Sequence, residues 1–437
     1  MNSWRLTAKA KLAALKDPQY YCNRFAQLKR AVNSGSDRFS AGWEKISGRR
    51  KSTSLVVLDD IFPHLLSAFR IAEYNHYLEK FPHAEVHSTF GNASLIGEKR
   101  SFEKVVAEYE GHYPQFKGRV IRFNPFRKTA CDLFYMIFLS NVYNFLPYIE
   151  RCGVPFVFTL YPGGGFRLNQ EESDRKLRTV LASPFFRKVI VTQKVSYDYL
   201  LNNGFCRPDQ IEFIYGGVLP SKQLQQRAHV KKLYQGDKRT FDICFVAQKY
   251  MPQGIDKGYD LFTEVAKELA AQHVDFRFHV VGPFDASDID VAALKERIVF
   301  YGSRTTDFFP AFYAEMDLIL SPNRSFVLAP GAFDGFPTGC CIEAGLCGVA
   351  VFCTDPLELN ISFTDGEEFV IIPADAAAIA NTVMEYFRDL PRLYLLSQEC
   401  RTAFARRFDI EQQMSPRLQV LQSALDSLRQ EGESAVQ

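Results

Sequence analysis

Short apolar runs punctuate the chain, and stretches with apolar positions three and four residues apart separate them. The run Ser54-Leu-Val-Val-Leu-Asp-Asp60 predicts a first buried strand, and Phe69, Ile71, Tyr74 and Leu78 after it predict a helix. Further strands are expected at 154–160, 188–192 and 211–215, with helical stretches such as 197–202 between them. The greasiest run, Leu133 to Ile149, is broken by Ser140, Asn141, Asn144 and Pro147 and predicts a buried helix. It is shorter than the roughly 20 residues a membrane span requires. A second series of runs follows at 241–246, 276–282, 298–302, 318–320, 349–352 and 369–372. Alternation of strand and helix implies parallel sheets. The expected fold is α/β, with two doubly wound Rossmann-like domains facing a cleft. The expected divisions are an extension at 1–51, a first domain at 52–220, a polar linker at 221–239, a second domain at 240–390 and terminal helices at 391–437.

With 437 residues, 47% hydrophobic and 23% charged, the composition is that of an ordinary two- or three-domain globular chain. Charge changes this picture at one end. Residues 1–51 hold twelve Lys/Arg against three Asp/Glu, so a net +2 divides into +9 there and −7 in the remainder. Within that arm Trp4, Ala8, Leu12 and Leu15 recur at helical spacing among Arg5, Lys9, Lys11 and Lys16. That pattern suits a helix on an anionic membrane surface, and equally a structural helix docked by its Trp. No basic stripe continues beyond it, so nucleic acid is not an expected partner. The first residues lack the apolar core of a secretory signal, and a cytoplasmic location is expected, with the inner membrane face as the surface the arm would meet. Ten cysteines without a C-x-x-C pair read as reduced packing thiols.

The stretch from Asp334 to Asp355 carries the most chemistry: an acid, the loop Gly335-Phe336-Pro337-Thr338-Gly339, a helix bearing Glu343, then a buried strand. Backbone N–H groups within 335–339 at a helix start suit a phosphate, and the Glu343 carboxylate suits sugar or ribose hydroxyls. The sequence Glu343-Ala-x-x-x-Gly-Val-x-Val resembles the second half of the paired-acid motif of the family 4 retaining glycosyltransferases, which have the two-domain GT-B fold. The resemblance covers about 240–425 well and 52–220 by architecture. It implies a hexose-type sugar transferred from a nucleotide diphosphate to an acceptor hydroxyl with retention, and an acceptor on a lipid-linked or cell-surface glycan fits the basic arm. It also implies a terminal helix that crosses back to the first domain. Two departures stand out. Eight residues separate Asp334 from Glu343 where the family has seven, and Gln248 holds the place of an arginine that clamps the donor diphosphate.

Several other residues are candidates. Lys257, in Asp256-Lys-Gly258 after the strand ending at Val246, meets a diphosphate as a point charge or caps a surface helix, and Lys249 stands beside the Gln248 slot. Asp334 is a sugar contact or a turn residue. The loop Tyr161-Pro-Gly163-Gly164-Gly-Phe166 follows a strand at the cleft rim, where glycines admit a ligand close to the backbone. Asp60 and His64 stand on the acceptor side, His64 as a proton acceptor or a satisfied edge histidine. Gly282 and Gly302 end strands where a nucleotide base would lie. Asp288-Ile-Asp290 imitates a metal-binding Asp-x-Asp, but with Lys257 and helix-start amides available no metal and no cofactor are expected beyond the donor. No zinc-peptidase, serine-hydrolase or P-loop motif occurs. Two other readings share this fold: a sugar-nucleotide epimerase and a non-catalytic sugar-nucleotide-binding scaffold.

Overall fold

The computed structural model describes residues 53–434 apart from 94–96, 98, 227 and 228, so the basic arm lies outside the described residues. The first lobe runs β1 (Thr53–Asp59), α1 (Ala68–Lys80), β2 (Glu85–Ser88), α2 (Phe102–His112), β3 (Val120–Arg122), β4 (Cys131–Ile137), α3 (Leu139–Cys152), β5 (Phe156–Leu160), α4 (Glu171–Leu181), β6 (Phe186–Val191), α5 (Lys194–Asn202) and β7 (Ile211–Phe213). Its strands form one parallel sheet in the order β3-β2-β1-β4-β5-β6-β7. Helix α6 (Ser221–Gln226) leads towards the second lobe: β8 (Phe241–Val246), α7 (Tyr259–Gln272), β9 (Phe276–Val281), β10 (Ile298–Gly302), α8 (Phe309–Glu315), β11 (Leu318–Ser321), α9 (Gly339–Leu346), β12 (Ala350–Cys353), β13 (Val370–Ile371) and α10 (Ala376–Arg388). That sheet is also parallel, in the order β10-β9-β8-β11-β12-β13. In each sheet the chain doubles back beside the first strand. Such a switch opens a crevice at the carboxyl ends of the strands.

The expected helix at 133–149 is in fact strand β4 followed by helix α3. Both are buried, and a continuous apolar run carries no periodicity to tell a two-sided strand from a buried helix. Strands β2 and β3 escaped sequence reading because they are short and partly polar. The polar stretch at 221–239 is tied to the second lobe by several of its residues, Lys231 and Lys232 among them. Tyr234 is buried with Phe241 and Phe276, and the Lys238 ammonium donates to Asp242 at 2.7 Å and Asp317 at 2.6 Å.

Two helices close the chain. Helix α11 (Leu390–Arg407) buries Cys400 and Phe404 against Gly345 of α9. Helix α12 (Ile410–Ser434) returns to the first lobe, where Ile410, Met414, Leu421 and Leu425 join Leu55, Val57 and Ile190 in one core. Arg417 enters with them fully buried, its Nη1 donating to the Gln413 carbonyl at 2.6 Å. Its charge faces buried Glu73, which accepts from the hydroxyls of Tyr161 at 2.9 Å, Tyr77 at 3.2 Å and Tyr135. A further apolar cluster is continuous from one lobe to the other, with Phe166 edge-on to Phe333 at 6.0 Å. Beside it the Leu168 N–H donates to the Gly331 carbonyl at 2.9 Å.

Candidate active site in the cleft between the lobes

A cavity of about 430 Å³ opens between residues at the carboxyl ends of the two sheets. Its second-lobe wall is built by the turn after β8, the end of β9, the turn after β10 and the loop that leads into α9. Lys257, Gly282, Asp334, Gly335, Pro337, Thr338, Gly339 and Glu343 all line it, so most of the candidate donor residues converge.

Their local structure follows from their sequence. Thr338 caps α9, and the first bond of that helix runs from the Ile342 N–H to the Thr338 carbonyl at 3.1 Å. The amides of 339–341 ahead of it have no partner within the helix and carry its positive end. Pro337 supplies no N–H, so the cradle is made by its neighbours. Gly282 has φ +134, and a Cβ there would stand 2.0 Å from the Ala247 carbonyl oxygen, so only glycine lets β9 end against the cleft.

Lys257 is 8% exposed, and its Nζ donates to Asp334 Oδ2 at 2.6 Å. Asn323 Nδ2 donates to the same oxygen at 2.8 Å, and the ammonium lies 5.1 Å from the centre of the Tyr250 ring. Burial opposes the Lys257 charge, but the Asp334 carboxylate outweighs it and raises the lysine pKa. The lysine is therefore a fixed cation, paired to a carboxylate that is itself partly exposed. Glu343 projects from the second turn of α9 and is 7% exposed. Burial, helped by the neighbouring Cys340, pushes its carboxyl up to about 8.

Other candidates lie elsewhere. Lys249 does not line the cavity: both oxygens of Asp288 hold its ammonium at 2.8 Å, over the Phe284 ring. Gln248 and Tyr250 on either side of it do face the cavity. Phe336 turns into the core against Phe369. Gly163 and Gly164 stand behind the wall, while Tyr161 and Pro162 of the same loop form it. Asp60 pairs with Arg70 at 3.4 Å and Asn92 at 2.6 Å, and His64 is buried with Nδ1 accepting from the Leu66 N–H at 3.2 Å; neither lines the cavity. Asp290 accepts from the Ala292 N–H at 2.9 Å within its own turn. Sequence reasoning missed Arg304, just past Gly302, and Thr192-Gln193, just past β6. Each follows the carboxyl end of a parallel strand, and that position was the available signal.

Comparison with known proteins agrees with this geometry. Residues 240–389 match the family described as "Glycosyl transferases group 1". A curated relative, an uncharacterised 41.2 kDa protein in the cps region of Klebsiella pneumoniae, is 26% identical over 201 residues, 45% of this chain. The match spans about half the length of that relative. Among solved structures, Anabaena Alr3699/HepE in complex with UDP superposes with a TM-score of 0.58 at 18% identity, over 86% of this chain and all of its own. Another crystal structure of that protein contains UDP-glucose. Sucrose-phosphate synthase of Thermosynechococcus elongatus superposes at 0.55 with 15% identity, over 87% of this chain and all of its own. The fold is that of the two-lobed GT-B glycosyltransferases, with the matched family on the second lobe.

Proposed function

We propose that this protein is a glycosyltransferase that moves a hexose-type sugar from a nucleotide diphosphate to an acceptor hydroxyl in the cleft, with retention of configuration. One observation carries the reading: a fixed ammonium, a helix start and two carboxyl groups meet in one cavity at the carboxyl edges of two parallel sheets. Lys257 and the amides ahead of α9 take the diphosphate and neutralise it as the bond to the sugar breaks. A diphosphate that claims Lys257 frees Asp334 for the hydroxyls of the sugar. Glu343 accepts from the nucleotide ribose, and Gly282 leaves room for the base. Arg304 supplies the second cation where Gln248 replaces an arginine, so the diphosphate charge is met without the expected clamp. The UDP and UDP-glucose complexes of the structural neighbour support a uridine donor, and the cps-region relative supports surface polysaccharide synthesis. Among the described residues no helix is long and apolar enough to cross a membrane. A cytoplasmic enzyme that meets lipid-linked acceptors through its basic arm fits that surface.

Melting-temperature shifts with UDP-glucose, UDP-N-acetylglucosamine, GDP-mannose and dTDP-glucose test the donor site. Slow release of nucleotide diphosphate without acceptor then tests catalysis. Binding without release would favour the scaffold reading, to which Gln248 in the cavity wall lends weight.

A further inference from the structure

One ring of the cleft stands out from its wall. Tyr250 is 55% exposed, whereas the other aromatic lining residues, Phe69, Phe138, Tyr161 and Phe309, are buried or half-buried. The chain holds it there from both sides. Lys249 before it is pinned to Asp288, and after it a turn closes with the Gly254 N–H donating to the Met251 carbonyl at 3.1 Å. Gly258 ends the segment at φ +70, where a Cβ would stand 2.0 Å from the Pro322 carbonyl oxygen. The backbone is thus seated against its own lobe, and the Tyr250 ring is left facing the cavity.

Its neighbours are the residues proposed to take the diphosphate. The Lys257 ammonium lies 5.1 Å from the ring centre and is itself held by Asp334 at 2.6 Å. The Tyr250 hydroxyl has no hydrogen-bond partner among the described residues. The charges it feels are Lys257, Asp334 and Asp256 of its own lobe and Arg70 of the other. Desolvation between the lobes raises its pKa against the pull of Lys257, so the phenol keeps its proton at neutral pH and is a donor. The first-lobe wall offers it no acceptor of its own charge. Phe69 and Phe138 line that side, the Phe138 ring filling the space above Gly164 where a Cβ would come within 2.4 Å, and Arg70 beside them is matched by Asp59 at 3.1 Å and Asp60 at 3.4 Å. An acceptor for the phenol therefore arrives with a ligand, and beside a fixed ammonium the ligand oxygen best suited to it is anionic.

We infer that the Tyr250 hydroxyl donates a hydrogen bond to the β-phosphate of the nucleotide, beside Lys257, where the bond to the sugar breaks. The inference rests on the glycosyltransferase reading for the identity of that phosphate. When the bond from sugar C1 to the β-phosphate oxygen breaks, its electron pair stays on the oxygen. The acceptor oxygen bonds to C1, and the acceptor proton passes to the same phosphate. The phenol keeps its own proton throughout, and its hydrogen bond strengthens as charge gathers on the departing oxygen.

The test uses the full chain, whichever of the four nucleotide sugars shifts its melting temperature most, and the nucleoside diphosphate and monophosphate of that donor. Tyr250→Phe keeps a ring over Lys257 and removes only the hydroxyl. By titration calorimetry it should bind the diphosphate about tenfold more weakly than the parent, and the monophosphate within about twofold. Its kcat should fall about tenfold with the donor KM within about twofold, because the bond gains strength in the transition state. Parental affinity for the diphosphate would overturn the contact, and equal losses for the two nucleotides would move Tyr250 to the nucleoside and overturn it as well. The two readings fail separately. Transfer at the parental rate by Tyr250→Phe keeps the transferase and removes the contact, whereas selective loss of diphosphate affinity in a protein that transfers and hydrolyses no donor keeps the contact and removes the transferase.

Discussion

At the scale of single residues, the Lys257–Asp334 pair sets the character of the cleft. If the lysine charge matters most as the diphosphate departs, Lys257→Ala should lower kcat more than it weakens donor binding. Equal losses would reduce it to an anchor. Activity should persist with a metal chelator, since Lys257 and the helix-start amides are proposed to meet the diphosphate charge. Strong inhibition would bring Asp288 and Asp290 back as ligands. Glu343→Ala should cost about 0.5 to 1.5 kcal/mol of donor binding or transition-state stabilisation near neutral pH, the worth of a hydrogen bond to a carboxyl that burial keeps protonated, and leave the fold intact. Unchanged kinetics with every donor would remove Glu343 from the site. Glu343 also gives a pH dependence whose sign is fixed. Its folded pKa of about 8 lies above the ordinary 4.5, so between those values the folded state holds a proton that the unfolded state has released. Stability from this group is present below the lower value and is lost as pH rises, by about 1.4 kcal/mol per unit across the window. Urea unfolding of Glu343→Gln should show a shallower decline from pH 5 to 8 than the parent, and parallel curves would contradict the buried carboxyl. The acid-loop-acid motif made Asp334 and Glu343 legible in the sequence. The partner of Lys249 was not, because Asp288 lies 39 residues away and only the folded turn brings it within 2.8 Å.

At the scale of elements, alternation of apolar runs and helical spacing was enough to place two parallel sheets, with β1, β5, β6 and β8 near their predicted positions. What failed to show were β2 and β3, too short and polar to stand out, and β4, whose run continues into α3 without a break. The glycine loop after β5 was legible as a cleft element, yet its role there was not. Gly164 serves the Phe138 ring, and nothing local in the sequence pairs residues 138 and 164. The basic arm is an element to be tested by removal. Deleting residues 1–51 should abolish sedimentation with anionic liposomes while sparing donor hydrolysis, since about nine net positive charges each add on the order of 1 kcal/mol near such a surface before screening. Full-length and truncated protein that sediment equally poorly at low salt would make the arm a docking element.

At the scale of the whole molecule, the lobes are joined by more than the chain between them. The cluster around Phe166 and Phe333 and the Leu168–Gly331 hydrogen bond bridge them directly, and α12 carries second-lobe chain back beneath the first sheet. Arg417 is the charged part of that return. Arg417→Met would leave Glu73 buried among three tyrosines without its counter-charge, and should destabilise the protein by about 3 to 5 kcal/mol. Chemical denaturation measures this, and a loss under about 1 kcal/mol would mean that Glu73 is held by its tyrosine hydroxyls alone.

The return of α12 has a temporal meaning as well. Leaving the ribosome, the strands of the first lobe appear early, but Ile410, Met414 and Leu421, which cover Leu55 and Val57, appear about 200 residues after β7. Contacts so distant along the chain are slow to close, and an apolar surface that waits for them is exposed to aggregation meanwhile. The lobe made first is therefore the lobe completed last, and its apolar face stays uncovered during an interval that the finished fold no longer displays.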